Sequence, residues 1–165
     1  MKKTLFVILG LLVVSSLVFA QNAPQSPSIT SESANVKITY GQPAKKNRDI
    51  FGKLVPFGQV WRTGANAATE VTFKNDVSFG GKKVKAGTYT LFTIPNSNEW
   101  TVILNSELKQ WGSYGYDKIK DKNVAEVKVK AMNNEATVEK LTITAEDSQI
   151  SIEWDNTVVR VPLKW

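Results

Sequence analysis

The stretch Trp61-Arg62-Thr63-Gly64-Ala65-Asn66 gathers several kinds of binding chemistry in six residues. Arginine presents a planar cation with donors spaced for a carboxylate or phosphate, asparagine adds an amide, and tryptophan supplies a flat apolar wall. Arg48, in the preceding loop, brings a second positive charge, and Tyr40 ends the run of residues that leads there. Tyr40, Arg48, Trp61, Arg62 and Asn66 are therefore the expected lining of a pocket for a polar or anionic ligand. The same residues also have a purely architectural reading. In that reading Trp61 plugs the core, Arg62 pairs with Asp49 or Glu70, and Asn66 satisfies a turn.

A second group is Trp111, Tyr114 and Tyr116, set among Gly112, Ser113 and Gly115. Aromatics in a glycine-rich loop make a stacking platform for a sugar ring, or fold back as a lid over one end of the domain; the lid is the expectation. Asp49 and Glu70 would suit glycoside hydrolysis only at a carboxyl separation of about 5–5.5 or 6.5–9.5 Å. With no motif around either, they read better as partners of Arg48 and Arg62. Asp121, Asn123 and Glu126 lack the glycine and the run of oxygen ligands of a calcium loop. Gly80-Gly81-Lys82-Lys83 has no Walker spacing and no following helix, and reads as a hairpin turn.

Two absences narrow the chemistry further. The chain has no cysteine and no histidine. Ser-His-Asp and Cys-His catalysis, thiolate chemistry and nearly all zinc or copper sites depend on those side chains. No metal and no cofactor is expected. An enzyme built from this chain would work through carboxylates, Lys, Tyr, Arg or Ser. Outside the cytoplasm, stability would come from packing and hydrogen bonds rather than disulfides.

The elements that position these residues are strands. Val36, Ile38 and Tyr40 alternate with Lys37 and Thr39; Val71 and Phe73 alternate with Thr72 and Lys74. The same period of two runs through Trp100, Val102 and Leu104, through Val127 and Val129, and through Leu141, Ile143 and Ala145. It returns in Ile150, Ile152 and Trp154, and in Val159, Val161 and Leu163. Successive side chains of a strand point to opposite faces, so strict alternation marks half-buried strands. Residues 88–94 (TYTLFTI) are β-prone on both faces and predict a central strand. Turn chemistry falls at Asn75-Asp76, Gly80-Gly81, Asn133-Asn134 and Asp155-Asn156, the last predicting a tight C-terminal hairpin. The fold expected is all-β, an antiparallel β-sandwich of immunoglobulin-like or jelly-roll type, with a closed barrel as the alternative. Residues 41–64 and 110–121 break the rhythm, and loops of this kind commonly carry function.

The N-terminus reads as delivery rather than fold. Lys2 and Lys3 precede an apolar run over residues 5–18, and Val18-Phe19-Ala20 resembles a peptidase site. Residues 1–20 are expected to be a cleaved signal peptide, 21–34 a flexible leader, and 35–165 the single β-sandwich domain. No membrane span is expected in the mature protein, and without cysteine there is no lipid anchor on that residue. The chain carries +6, and removing Lys2 and Lys3 leaves +4. That surplus is scattered as single lysines or short pairs, which favours solubility and is unlike a nucleic-acid binder.

The blocks YGQPAKKNRDIFGKLVPFGQVWRTGANAATEVTF, GGKKVKAGTYTLFTIPNSNEWTVILN and QWGSYGYD, in this order and spacing, resemble an exported bacterial family, domain of unknown function 2911. The resemblance covers the chain from about Ser26 to the C-terminus. WRTGAN and AGTYTLFTIP are its most specific parts. It implies export and a β-rich domain, and it assigns no activity, ligand or catalytic residue. The functional expectation is an exported module, periplasmic or extracellular, that binds a small molecule or glycan without catalysis. A carbohydrate-active hydrolase or lyase and a structural envelope scaffold are the alternatives.

Overall fold

In the computed structural model, which describes residues 26–165, Val36, Ile38 and Tyr40 are buried while Lys37 and Thr39 are exposed. The same in-and-out pattern recurs along almost every strand, as the alternation requires. The strands are β1 (Ser28–Glu32), β2 (Val36–Gly41), β3 (Thr69–Phe73), β4 (Val77–Phe79), β5 (Lys82–Val84), β6 (Gly87–Ile94), β7 (Glu99–Asn105), β8 (Asn123–Ala145) and β9 (Gln149–Lys164). All pairings are antiparallel, and the nine form one sheet in the order β1-β2-β3-β6-β7-β8-β9-β4-β5. The protein is all-β, and its sheet is open, with β1 and β5 at the edges.

The sheet folds over on itself. Val36, Val71, Leu91 and Val102 from one half share a single core with Phe79, Ile143, Ile152 and Val161 from the other. Burial of that shared apolar face is the main term holding the halves together, at about 25 cal/mol per Å² removed from water. The halves also touch through polar groups: the backbone N–H of Ile143 donates to the Tyr40 hydroxyl at 3.2 Å.

Residues 88–94 lie in β6 as expected, fourth in the sheet, with Leu91 in the main core and Phe92 in a smaller cluster on the opposite face. Gly80 and Gly81 join β4 to β5 with φ of 54° and 91°, the left-handed backbone a tight hairpin demands.

Three expectations are corrected. The expected signal peptide (1–20) and residues 21–25 of the expected leader lie outside the described residues, but residues 28–32, also assigned to the leader, form strand β1. Its Ser/Thr-rich sequence gives no strong apolar alternation, yet ladder pairing with β2 uses only backbone groups, and Ile29 packs on the core. Asp155-Asn156 is not a hairpin turn: β9 runs through it, with Asp155 at φ 53°. Asn133-Asn134 is likewise inside β8. The true hairpin turn is at residues 146–148, where Glu146 N–H donates to Gln149 O at 3.0 Å. Between the long strands the register slips twice, between Asn133 and Val138 and between Val138 and Thr142. Asn and Asp serve such bulges for the reason they serve turns, namely left-handed backbone and short side chains that bond locally.

Candidate functional site

Phe92 and Ile103 point away from the main core and would face water if nothing covered them. The two irregular segments cover them: Val60 and Ala68 come from one, Tyr116 and Ile119 from the other. This burial brings Val60 and Ala68 of the first segment and Tyr116 and Ile119 of the second onto the same outer face of β6 and β7, while Ile50, Phe51, Val55 and Trp61 of the first segment belong to the main core or pack against it. Trp61 clips the first segment to β6 by paired backbone bonds with Thr93, 2.7 and 2.9 Å long. The segments then bond to each other. Ala68 N–H donates to Gln110 O at 2.9 Å, Gly112 N–H to Asn66 O at 3.1 Å, and the Ser113 hydroxyl to Val60 O at 2.9 Å.

Within WRTGAN the backbone is forced. Thr63 is β-branched, fully buried and held at φ 56°, a conformation that costs about 1–3 kcal/mol outside glycine. Its hydroxyl sits 3.0 Å from that of Thr93, and its carbonyl accepts from Thr69 Oγ1 at 2.7 Å. Gly41, at the end of β2, lies so close beneath that a Cβ there would stand 2.0 Å from Ala65 O. The segment is thus a rigid platform, and Arg62 projects from it.

A cleft of about 440 Å³ opens beside this platform, with Arg48, Leu54, Trp61, Arg62, Tyr114 and Trp154 among its lining residues. Among the described residues no aspartate or glutamate lines it. Arg62 Nε donates to Gly64 O at 3.2 Å; Arg48 donates to Lys45 O at 2.9 Å and Ala44 O at 2.6 Å. Among the described residues neither arginine pairs with a carboxylate. The expected pairing of Arg62 with Asp49 or Glu70 is therefore absent. Asp49 is exposed and outside the cleft lining; Glu70 accepts the Lys109 N–H at 2.9 Å beside another groove. The Arg48 turn is fixed from below, because Lys45 pairs with Asp155 at 2.9 Å and donates to Arg48 O at 2.8 Å.

Of the five expected lining residues, the fold brings Arg48, Trp61 and Arg62 together on the cleft. Tyr40 is buried in the core and borders the neighbouring groove with Trp111. Asn66 stays outside the lining: at φ 62° it shapes the loop, its amide donating to Ser26 O at 3.1 Å. Leu54, Tyr114 and Trp154 belong to the lining and were not expected there. Tyr114 carried a signal in its glycine-rich loop; Trp154 carried none, since it alternates like any core residue.

Trp111 and Tyr114 are 62% and 85% exposed, so they do not fold back as a lid. Tyr116 does: its ring meets Phe92 edge-on at 5.2 Å, and burial pushes its hydroxyl pKa up. Asn123 donates to that hydroxyl and to Glu126, each at 2.7 Å, which makes the 121–126 segment a local hydrogen-bond network.

The sequence that builds this platform is also the one that a family model recognises: the model described as a protein of unknown function, DUF2911, matches residues 23–163. The chain belongs to the DUF2911 family. The match spans the sheet, both covering segments and every cleft residue named above, so the cleft lies within the DUF2911 domain itself. No curated protein and no solved structure matches the chain.

Proposed function

We propose that this DUF2911 domain is a non-catalytic binding module whose cleft takes an anionic ligand with a partly apolar face. One observation carries the reading: two guanidinium groups, Arg48 and Arg62, line a cleft with no carboxylate side chain among its described lining residues. A guanidinium held by backbone carbonyls keeps donors for a bidentate acid group, and its charge awaits an anion. Trp61 and Tyr114 supply flat walls for the ligand body. Exposed apolar side chains support the same place, since Leu54 and Tyr114, 46% and 85% exposed, both lie on it. Asp49 and Glu70 are not joined at the cleft, so nothing there favours the hydrolase alternative.

Export to the periplasm or exterior is part of the proposal and rests on the signal-like residues 1–20. Terminal sequencing of the mature protein tests it, with Gln21 as the expected first residue.

The binding reading is tested by thermal unfolding with acetate, benzoate, glucuronate and phosphate, on wild type, Arg48→Ala and Arg62→Ala. A ligand at about 100 times its Kd stabilises by about 2.7 kcal/mol, roughly 5–10 °C for a domain of this size. The expected result is such a shift in wild type for at least one anion and its loss in Arg62→Ala. No shift with any of the four, or a shift kept in both variants, overturns the reading.

A further inference from the structure

The cleft does not end at Arg48. A second groove of about 350 Å³ shares Ser26, Pro43 and Arg48 with it and continues to Lys46 and Lys140. Among the described residues no aspartate or glutamate lines this groove either. Arg62, Arg48, Lys46 and Lys140 therefore follow one another along a single path without a carboxylate in its lining. Of the acids on adjoining segments, Asp49 is exposed and outside both linings, and two others are engaged. Glu139 accepts the backbone N–H of Lys46 at 2.9 Å, and Asp155 pairs with Lys45. The turn that presents Lys46 and Arg48 is also an unusual one, with Lys46 and Asn47 both left-handed at φ 49° and 58°. Lysine rarely adopts that backbone, whereas asparagine tolerates it, and here it is secured by the Glu139 and Lys45 contacts.

A compact monovalent acid would fill the first groove and leave the Lys46 and Lys140 charges unanswered. A lipid chain would need a deeper apolar channel than an open path lined by Ser26, Gln42, Gln59 and Ser113. Sugars suit both features, because their ring C–H faces stack on aromatic rings while their hydroxyls replace water along polar walls. We propose that the two grooves form one binding path for an acidic oligosaccharide. Carboxylates on separate sugar units meet Arg62 and Arg48 in the cleft and Lys46 and Lys140 beyond it, and the exposed ring of Tyr114 takes a sugar face. This rests on the anion-binding reading of the cleft and names its ligand class.

The test titrates the purified protein with galacturonate monomer, dimer and trimer and with neutral galactose oligomers of the same lengths, followed by tryptophan fluorescence and calorimetry. Lys46→Ala/Lys140→Ala, two surface changes remote from the core, is run beside wild type and Arg62→Ala. Trimer binding about tenfold tighter than monomer is expected, with no binding of the neutral series. The double variant is expected to lose that gain and leave monomer binding unchanged, whereas Arg62→Ala weakens both. A trimer no tighter than the monomer, or a double variant that weakens monomer and trimer alike, overturns the two-groove path. Galacturonate left unbound while benzoate or phosphate binds overturns the oligosaccharide alone; all of them unbound overturns the anion site beneath it.

Discussion

The indole of Trp61 lies over that of Trp154, with ring centroids 6.0 Å apart and planes 17° from parallel. Both rings line the cleft, and both belong to the main core or pack against it. Phe51 meets Trp61, Trp100 and Trp154 edge-on at 6.1, 4.9 and 6.3 Å, so the cleft wall is the outer edge of the central aromatic cluster. The cleft and the core are joined at this pair.

Trp61→Ala is accordingly expected to cost about 3 kcal/mol in urea unfolding, within the usual range for truncating a large aromatic. Trp61→Phe keeps most of the packing and is expected to cost about 1 kcal/mol. Both variants should change the near-ultraviolet circular dichroism, because each removes one indole of the stacked pair. Unchanged dichroism in Trp61→Phe would contradict the stack.

Arg62→Ala separates a structural arginine from a binding one. A buried ion pair broken at one end costs about 3–5 kcal/mol. Among the described residues the Arg62 side chain has no carboxylate partner and one bond, to Gly64 O at 3.2 Å, so the expected loss is about 1 kcal/mol. Urea titration gives the value directly, and a loss above about 3 kcal/mol would mean that the charge is paired after all.

Gly41→Ala is expected to destabilise by about 1–3 kcal/mol and to weaken anion binding at the same time. The added methyl would stand 2.0 Å from Ala65 O, and the atoms it meets are all backbone, so the WRTGAN platform must move. Gly81→Ala meets no atom within 4 Å and isolates the cost of left-handed backbone, leaving the cleft untouched. Equal anion affinity in both variants would sever the link between β2 and the site.

Asp147 ties the β8–β9 turn to the β1–β2 turn. Its Oδ1 accepts from Ser33 Oγ at 2.7 Å and from Asn35 N–H at 3.0 Å. The Ser33 bond, with the Asn35 N–H behind it, holds its carboxyl below the usual 3.8. A depressed carboxylate stabilises the folded state fully above the unfolded value and less as pH falls through the folded one. Stability should therefore drop as pH falls below about 4, and Asp147→Asn should flatten that part of the curve. Urea midpoints across the acid range decide it; identical slopes in the two proteins would remove Asp147 as a contributor.

The alternating runs at residues 36–40, 71–73, 100–104, 127–129, 141–145, 150–154 and 159–163 all became strand, because the pattern is local and each face declares its own environment. Strand β1 was hidden for the complementary reason. Its side chains say little, and its pairing is made by backbone groups that every sequence possesses. The breaks at Asn133-Asn134 and Asp155-Asn156 were visible, but the same left-handed, locally bonding residues serve a turn and a bulge. Which of the two forms depends on what the partner strand offers across the ladder.

Local pattern and composition establish that the chain is all-β, that its chemistry excludes imidazole and thiolate, and that Arg48, Trp61 and Arg62 belong to an irregular segment. The cleft those three share with Tyr114 and Trp154, from 52 to 106 positions along the chain from Arg62 or Arg48, exists only once the sheet has folded over, and Tyr40 and Asn66 then lie outside its lining. A strand's environment is written in its own period, whereas a cleft forms where distant segments meet. Which segments meet is set by the burial of Phe92 and Ile103 on the outer face and of Phe51 and Trp61 against the main core, demands that no stretch of the loops records.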